Sequence, residues 1–191
     1  MASVVPLKGT DLVPLHWRLP ATKDSDAAAV LAARRATAVD ALVYSIPSPA
    51  EWAGTQLAVL QVDTDTDLYQ DVARATFLPW KERAAGPIWI WIMNIHRESA
   101  NRVSIYQCHD EGWLSSAGEP RTSRDMTLGG VEHLVVSRLS HYPDGSRWKV
   151  TDFDITGGPD EDRYLKQCQA WAATHTTTEG WTLPPEPTTT P

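Results

Sequence analysis

Residues 94–113 and 131–154 hold most of the side chains in this chain that could move a proton or bind an ion. Their spacing limits what they can do. His109, Asp110 and Glu111 are consecutive at the end of an apolar run. Side chains alternate along a strand, so these three point apart, whereas a metal site needs ligands converging from at least two elements. No metal is expected, and the trio reads as a solvated turn. Asp152 and Asp154 are two apart, which places them on one strand face with Trp148 and Val150. An acid on an otherwise apolar face has the setting of a pocket base; two such acids also describe a hydrated edge. His133 and His141 share a face with Val131, Val135 and Leu139, the setting of a core or rim histidine. His96 closes the run 87–96. From these strand positions, Tyr106, His96 and Asp152 are predicted to meet in a pocket mouth that Trp89 and Trp91 help to line. No residue is assigned a catalytic role.

Other chemistries lack their patterns. Gly129-Gly130 and Gly157-Gly158 do not have the spacing of a phosphate-cradling loop. There is no Gly-x-Ser-x-Gly elbow, no Cys–His nucleophile signature and no cofactor motif. The formal net charge is -7 and the basic residues are scattered, which disfavours nucleic acid and anionic membrane surfaces as partners. No run approaches the ~20 apolar residues of a membrane span. Met1 to Pro14 carries no apolar core of signal-peptide type, so a cytoplasmic protein is expected. Cys108 and Cys168 have no metal-type spacing, and in that compartment two buried free thiols are expected rather than a disulfide.

The elements that must position these groups are legible in outline. Residues 1–23, with Pro6, Gly9, Pro14 and Pro20, read as an extended arm made sticky by Leu12, Val13, Leu15, Trp17 and Leu19. Residues 24–176 read as one α+β domain, and 177–191 as a Pro/Thr-rich tail anchored at its start by Trp181 and Leu183. Asp24, Ser25 and Asp26 offer caps for a long helix reaching about Ser45, stopped by Pro47 and Pro49. Leu57–Val62 fits a short strand or a helix end, and a second helix is predicted over Leu68–Ala75. Strands are predicted over 87–96, 102–108, 131–142 and 147–155, the last two joined by the turn Tyr142-Pro-Asp-Gly-Ser146. A final helix, 160–175, places Tyr164, Leu165, Cys168, Trp171, Ala172 and His175 on one stripe. In the first strand, Trp89, Trp91, Met93 and Ile95 are predicted to face one way and Ile88, Ile90 and Ile92 the other. A strand apolar on both faces needs two covers. One is expected to be the protein's own helices, the other a partner, a second copy or another layer of this chain.

The order of a long helix, a shorter one and then long antiparallel strands resembles the nuclear transport factor two-like (ketosteroid-isomerase-like) superfamily. Arg102-Val-Ser-Ile-Tyr-Gln-Cys-His-Asp-Glu-Gly-Trp113 and Arg147-Trp-Lys-Val-Thr-Asp-Phe-Asp154 resemble uncharacterised actinobacterial members of it. The resemblance covers roughly Asp24 to Ile155 and implies a curved antiparallel sheet wrapped around the N-terminal helix as a cone, here with an extra C-terminal helix. Some relatives are accessory domains of larger machinery. The function expected first is therefore a non-catalytic interaction or assembly domain, self-associating or docking to a complex through Ile88, Ile90, Ile92 and Trp17. An isomerase- or cyclase-type enzyme with a small apolar ligand in the cone is the alternative, and a structural protein of a phage or similar particle is a third.

Overall fold

The computed structural model describes residues 6–46, 67–74, 78–139, 148–154 and 161–186. In chain order the elements are β1 (Leu15–Arg18), α1 (Ala27–Leu42), α2 (Asp67–Arg74), β2 (Ala84–Ala85), β3 (Ile88–Ser99), β4 (Arg102–Asp110), β5 (Ser115–Ser116), β6 (Gly129–Arg138), β7 (Trp148–Asp154) and α3 (Glu161–Ala172). The fold is α+β. Its main sheet has five strands in the order β1-β3-β4-β6-β7, with β2 and β5 forming a separate short ladder. The turn predicted over 142–146, His141 and the stretch Leu57–Val62 lie outside the described residues.

The sheet is mixed rather than purely antiparallel. β3, β4, β6 and β7 pair antiparallel, but the N-terminal arm supplies β1, which runs parallel to β3 with Leu15 beside Ile88 and Arg18 beside Trp91. The arm's prolines hide this strand, because Pro14 and Pro20 bracket only a short donor-bearing stretch. Trp17 is half-buried in the arm, its indole N–H bonded to the Leu7 carbonyl. At the far end of the chain Trp181 donates to the Asp11 carbonyl at 2.9 Å, so the tail's start is anchored to the arm.

The protein's own helices lie on the two faces of the sheet. α1 lies on one face against β4, β6 and β7. It is apolar nearly all round, burying Ala29, Val30, Ala32, Ala33, Ala36, Ala38, Val39 and Leu42, as expected of a helix enclosed on several sides. Its alanines allow close approach to β4, β6 and β7, and they share one core with Ile88, Ile90, Ile92, Val103, Ile105, Leu134, Val136 and Val150. Each fully buried isoleucine contributes roughly 1.5–3 kcal/mol relative to exposure. Ile88, Ile90 and Ile92 are completely enclosed in this core, which also holds Leu12, Val13 and Ala117, so the chain itself covers them rather than the docking partner expected for them. α3 covers the opposite face, where Tyr164 and Cys168 pack with Tyr106, Cys108 and Val131, and Trp91, Met93, Leu165 and Trp171 flank them.

Two irregularities change which side chains share a face. The β3–β4 register slips between Ile92 and Asn94, making Met93 the extra residue of a bulge. Alternation therefore restarts: Ile95 pairs with Ile105 and packs into the α1-side core, not beside the tryptophans as predicted. A second slip, between Val135 and Val136 on β6, pairs Asp152 with Val135 and Val150 with Val136. Asp152 and Asp154 thus lie on the α3 side while Val150 lies on the α1 side, contrary to the shared face predicted.

The helix caps also differ from expectation. Asp26 is the N-cap of α1 but makes no side-chain capping bond. Its carboxylate is held by Arg97, whose Nε stands 2.7 Å from Oδ1 while Nη2 donates to the Ser25 carbonyl at 2.6 Å. The start of α1 is thereby clamped to the end of β3. Cys108 and Cys168 are joined as a disulfide between β4 and α3, correcting the expectation of free thiols. The stripe that aims Cys168 at the sheet and the alternation that aims Cys108 at α3 bring their Cα atoms within 5.4 Å, inside the range a disulfide spans.

Candidate functional site

Beyond the bulge, β3 turns Asn94 and His96 onto the α3 face, where β4 presents Ser104 and Tyr106 and β6 presents His133. The β3–β4 turn adds Glu98 and Arg102, and the first turn of α3 adds Arg163 and Tyr164. These nine residues line an open pocket of about 450 Å³. Ser104, Tyr106, His133 and Tyr164 are its buried residues, each 5–9% exposed. His96, Glu98, Arg102 and Arg163 are its exposed rim.

The polar groups are interlocked. Ser104 Oγ lies 2.7 Å from Glu98 Oε1 and 2.9 Å from His133 Nε2. Arg102 Nε donates to Glu98 Oε2 at 2.6 Å. Glu98 is held below the usual carboxylate range, first by the Ser104 hydroxyl against the opposing push of desolvation, then by Arg102 and His96. One hydroxyl proton serves one acceptor, and ionised Glu98 takes it. His133 then presents Nε2–H to Ser104. The pair lacks the polarity of an activated nucleophile, in which the histidine accepts the serine proton.

The aromatic rings stack as a column. Tyr106 lies between His133 at 4.5 Å and Tyr164 at 4.7 Å, and the Arg163 guanidinium carbon sits 5.3 Å from the Tyr164 ring centre. Tyr164 Oη is buried and has no hydrogen-bond partner among the described residues.

Of the residues predicted to form a pocket, Tyr106 and His96 come together here. Asp152 does not line the pocket; it is exposed on β7, about 10 Å or two strand spacings from the Ser104 position. Trp89 and Trp91 occupy the same face but pack elsewhere. Trp89 is stacked between His16 at 5.2 Å and His175 at 4.6 Å. Trp91 meets Arg18 at 4.1 Å and Trp171 at 5.5 Å. Ser104, Glu98, Arg163 and Tyr164 were not singled out as site residues from the sequence. The alternation Ser104/Tyr106 opposite His133 was an available signal, but its use required the β4–β6 register.

His109, Asp110 and Glu111 are not a solvated turn: His109 and Asp110 are buried on opposite faces of β4. On the α1 side His109 Nε2 is 3.1 Å from Glu132 Oε2, and Gln107 Nε2 donates to Glu132 at 2.8 Å and to Thr37 Oγ1 at 2.7 Å. Burial alone would lower the His109 pKa, but the carboxylates of Glu132, Glu111 and Asp40 outweigh it and raise it to about 9. Burial pushes the Glu132 carboxyl up, against the pull of His109 and Gln107. On the α3 side the fully buried Asp110 accepts from Gly112 N–H, Arg124 and His175 Nδ1. This hub ties the 111–125 loop and the segment after α3 to the end of β4. A second open cavity, of about 480 Å³, lies beside it between the 124–130 segment and α3. No group of side chains suited to a metal ion occurs among the described residues.

No family model, curated protein or solved structure matches this chain.

Proposed function

We propose that this chain is a non-catalytic small-molecule-binding domain whose site is the pocket between β3, β4, β6 and the start of α3. The observation that carries this reading is a set of buried polar side chains lining a 450 Å³ cavity, with the Tyr164 hydroxyl lacking a partner among the described residues. Buried polar groups are normally satisfied, so an unfilled donor at a cavity marks where a ligand atom would sit. An apolar ligand was expected from the sequence; this lining is polar and suits a polar one. The assembly reading drew support from Ile88, Ile90 and Ile92, which are enclosed in the chain's own core. The kinship with nuclear transport factor two-like domains stays part of our proposal, supported by the long N-terminal helix against β4, β6 and β7. The cone interior of that reading is here packed with side chains, and the pocket lies on the opposite sheet face.

A protein-observed NMR screen of small polar fragments tests the proposal. Shifts are expected at Tyr106, His133 and Tyr164. Hits confined to other surfaces, or light scattering showing a dimer that buries this pocket, would refute it. The Ser104 Oγ–His133 Nε2 contact at 2.9 Å speaks against a serine-hydrolase reading, because the Ser104 proton goes to Glu98 and the histidine is the donor. Labelling of Ser104 by a fluorophosphonate would establish the hydrolase in place of the binding reading.

A further inference from the structure

We propose that the pocket selects a small organic anion, with Arg163 and the Tyr164 hydroxyl as the groups that recognise its oxyanion; this rests on the pocket being a binding site. The charge pattern leads there. Glu98 is the carboxylate of the lining, and its charge is matched by Arg102 on Oε2 while Ser104 donates to Oε1. A cationic ligand would find no free counter-charge. Arg102 is neutralised by the same pair. Arg163 makes no ion pair among the described residues; its partner is the Tyr164 ring. Among the described residues the pocket therefore carries one guanidinium without an ion pair, Arg163, at its rim, and a guanidinium is the group best shaped to grip a carboxylate or phosphate with two parallel donors.

The aromatic column points the same way. The faces of Tyr106 are occupied by His133 and Tyr164, and Tyr164 also carries Arg163. A ligand thus meets ring edges rather than an open ring face, with the Tyr164 hydroxyl buried beside them and without a partner among the described residues. Ring edges carry the positive end of the quadrupole, and a phenol O–H is a donor, so both favour an electron-rich oxygen. Asn94 and His96 complete the rim with further donors.

Calorimetric or NMR titration of the full chain with phenylacetate, phenyl phosphate and the neutral phenylacetamide tests the assignment. At least one anion should bind roughly tenfold or more tightly than the amide, the gain from one charge-assisted pair. Which anion wins separates a carboxylate from a phosphate ester. Arg163→Gln should abolish the preference by weakening the anions more than the amide. Tyr164→Phe should weaken the anions while leaving the melting temperature level or higher, because the lost hydroxyl has no partner among the described residues. Equal binding of amide and anions, with shifts at Tyr106 and His133, would overturn the anion class and leave the pocket standing. Silence of all three probes at millimolar concentration, with no shift at Tyr106, His133 or Tyr164, would overturn both.

Discussion

Cys108 and Cys168 fasten the only described helix on the tryptophan face to the centre of the sheet, so cutting that bond should be felt in stability and in the pocket together. The two residues are 60 apart in sequence. Closing a loop of that length removes about 14 cal/mol/K of chain entropy from the unfolded state, or about 4 kcal/mol at room temperature. For a chain of this size each kcal/mol moves the melting temperature by roughly 2–4 °C, so the Cys108→Ala/Cys168→Ala variant should melt roughly 10 °C lower. Scanning calorimetry of the variant beside the oxidised parent measures this. Hydrogen exchange adds a spatial readout. Amides of α3, including those around Tyr164, should lose more protection than the central amides of β4, which remain laddered to β3 and β6. Two thiols titrating in denatured, unreduced protein would show that the bond is not made. A melting temperature within about 2 °C of the parent would show that the chain-entropy estimate does not apply here.

Arg97→Leu removes the clamp on Asp26 and leaves a nearly buried carboxylate without its main partner. A loss of roughly 1.5–3 kcal/mol is expected by urea denaturation, and Asp26→Asn in the same background should recover part of it. Gly129 has φ +99°, and a Cβ there would stand 2.2 Å from the His109 carbonyl oxygen. Gly129→Ala should therefore cost about 1–3 kcal/mol in the same assay; a neutral result would contradict this close approach of β6 to β4. The pKa of His109 is about 9 in the folded chain against an ordinary 6.5. A raised folded value means the stabilisation is complete below pH 6.5 and lost as pH rises through about 9. Stability should fall across that interval, and His109→Gln should flatten the slope.

The long apolar runs made β3, β4, β6, β7 and the flanking helices readable, because burial on a sheet imposes period two and burial on a helix imposes a stripe. α1 and α3 fell within a few residues of their predicted bounds, as did the strand starting at Arg102. What escaped notice depends on pairing between distant segments. The Met93 bulge leaves no local mark, since isoleucine and methionine suit either face, yet it decides that Ile95 enters the core and His96 reaches the pocket. β1 was hidden because its partner lies some seventy residues away and proline content dominated the reading of the arm. The disulfide was missed because compartment was inferred first and thiol state second, whereas the proximity that joins the cysteines belongs to the packed sheet and helix. Half of the pocket was visible as alternation in β3 and β4; the Arg163–Tyr164 wall was not, because a helix's sequence does not say which sheet face it will cross.

The four-residue strand β1 has a protective consequence. It occupies the outer rim of Ile88–Trp91, the greasiest backbone in the molecule. Shaving off the arm by proteolysis or truncation would lay that rim bare, with its amide and carbonyl groups unpaired and isoleucines and tryptophans alternating along it. Such a rim is a template for another extended chain. The short N-terminal strand thus doubles as a guard against intermolecular zippering.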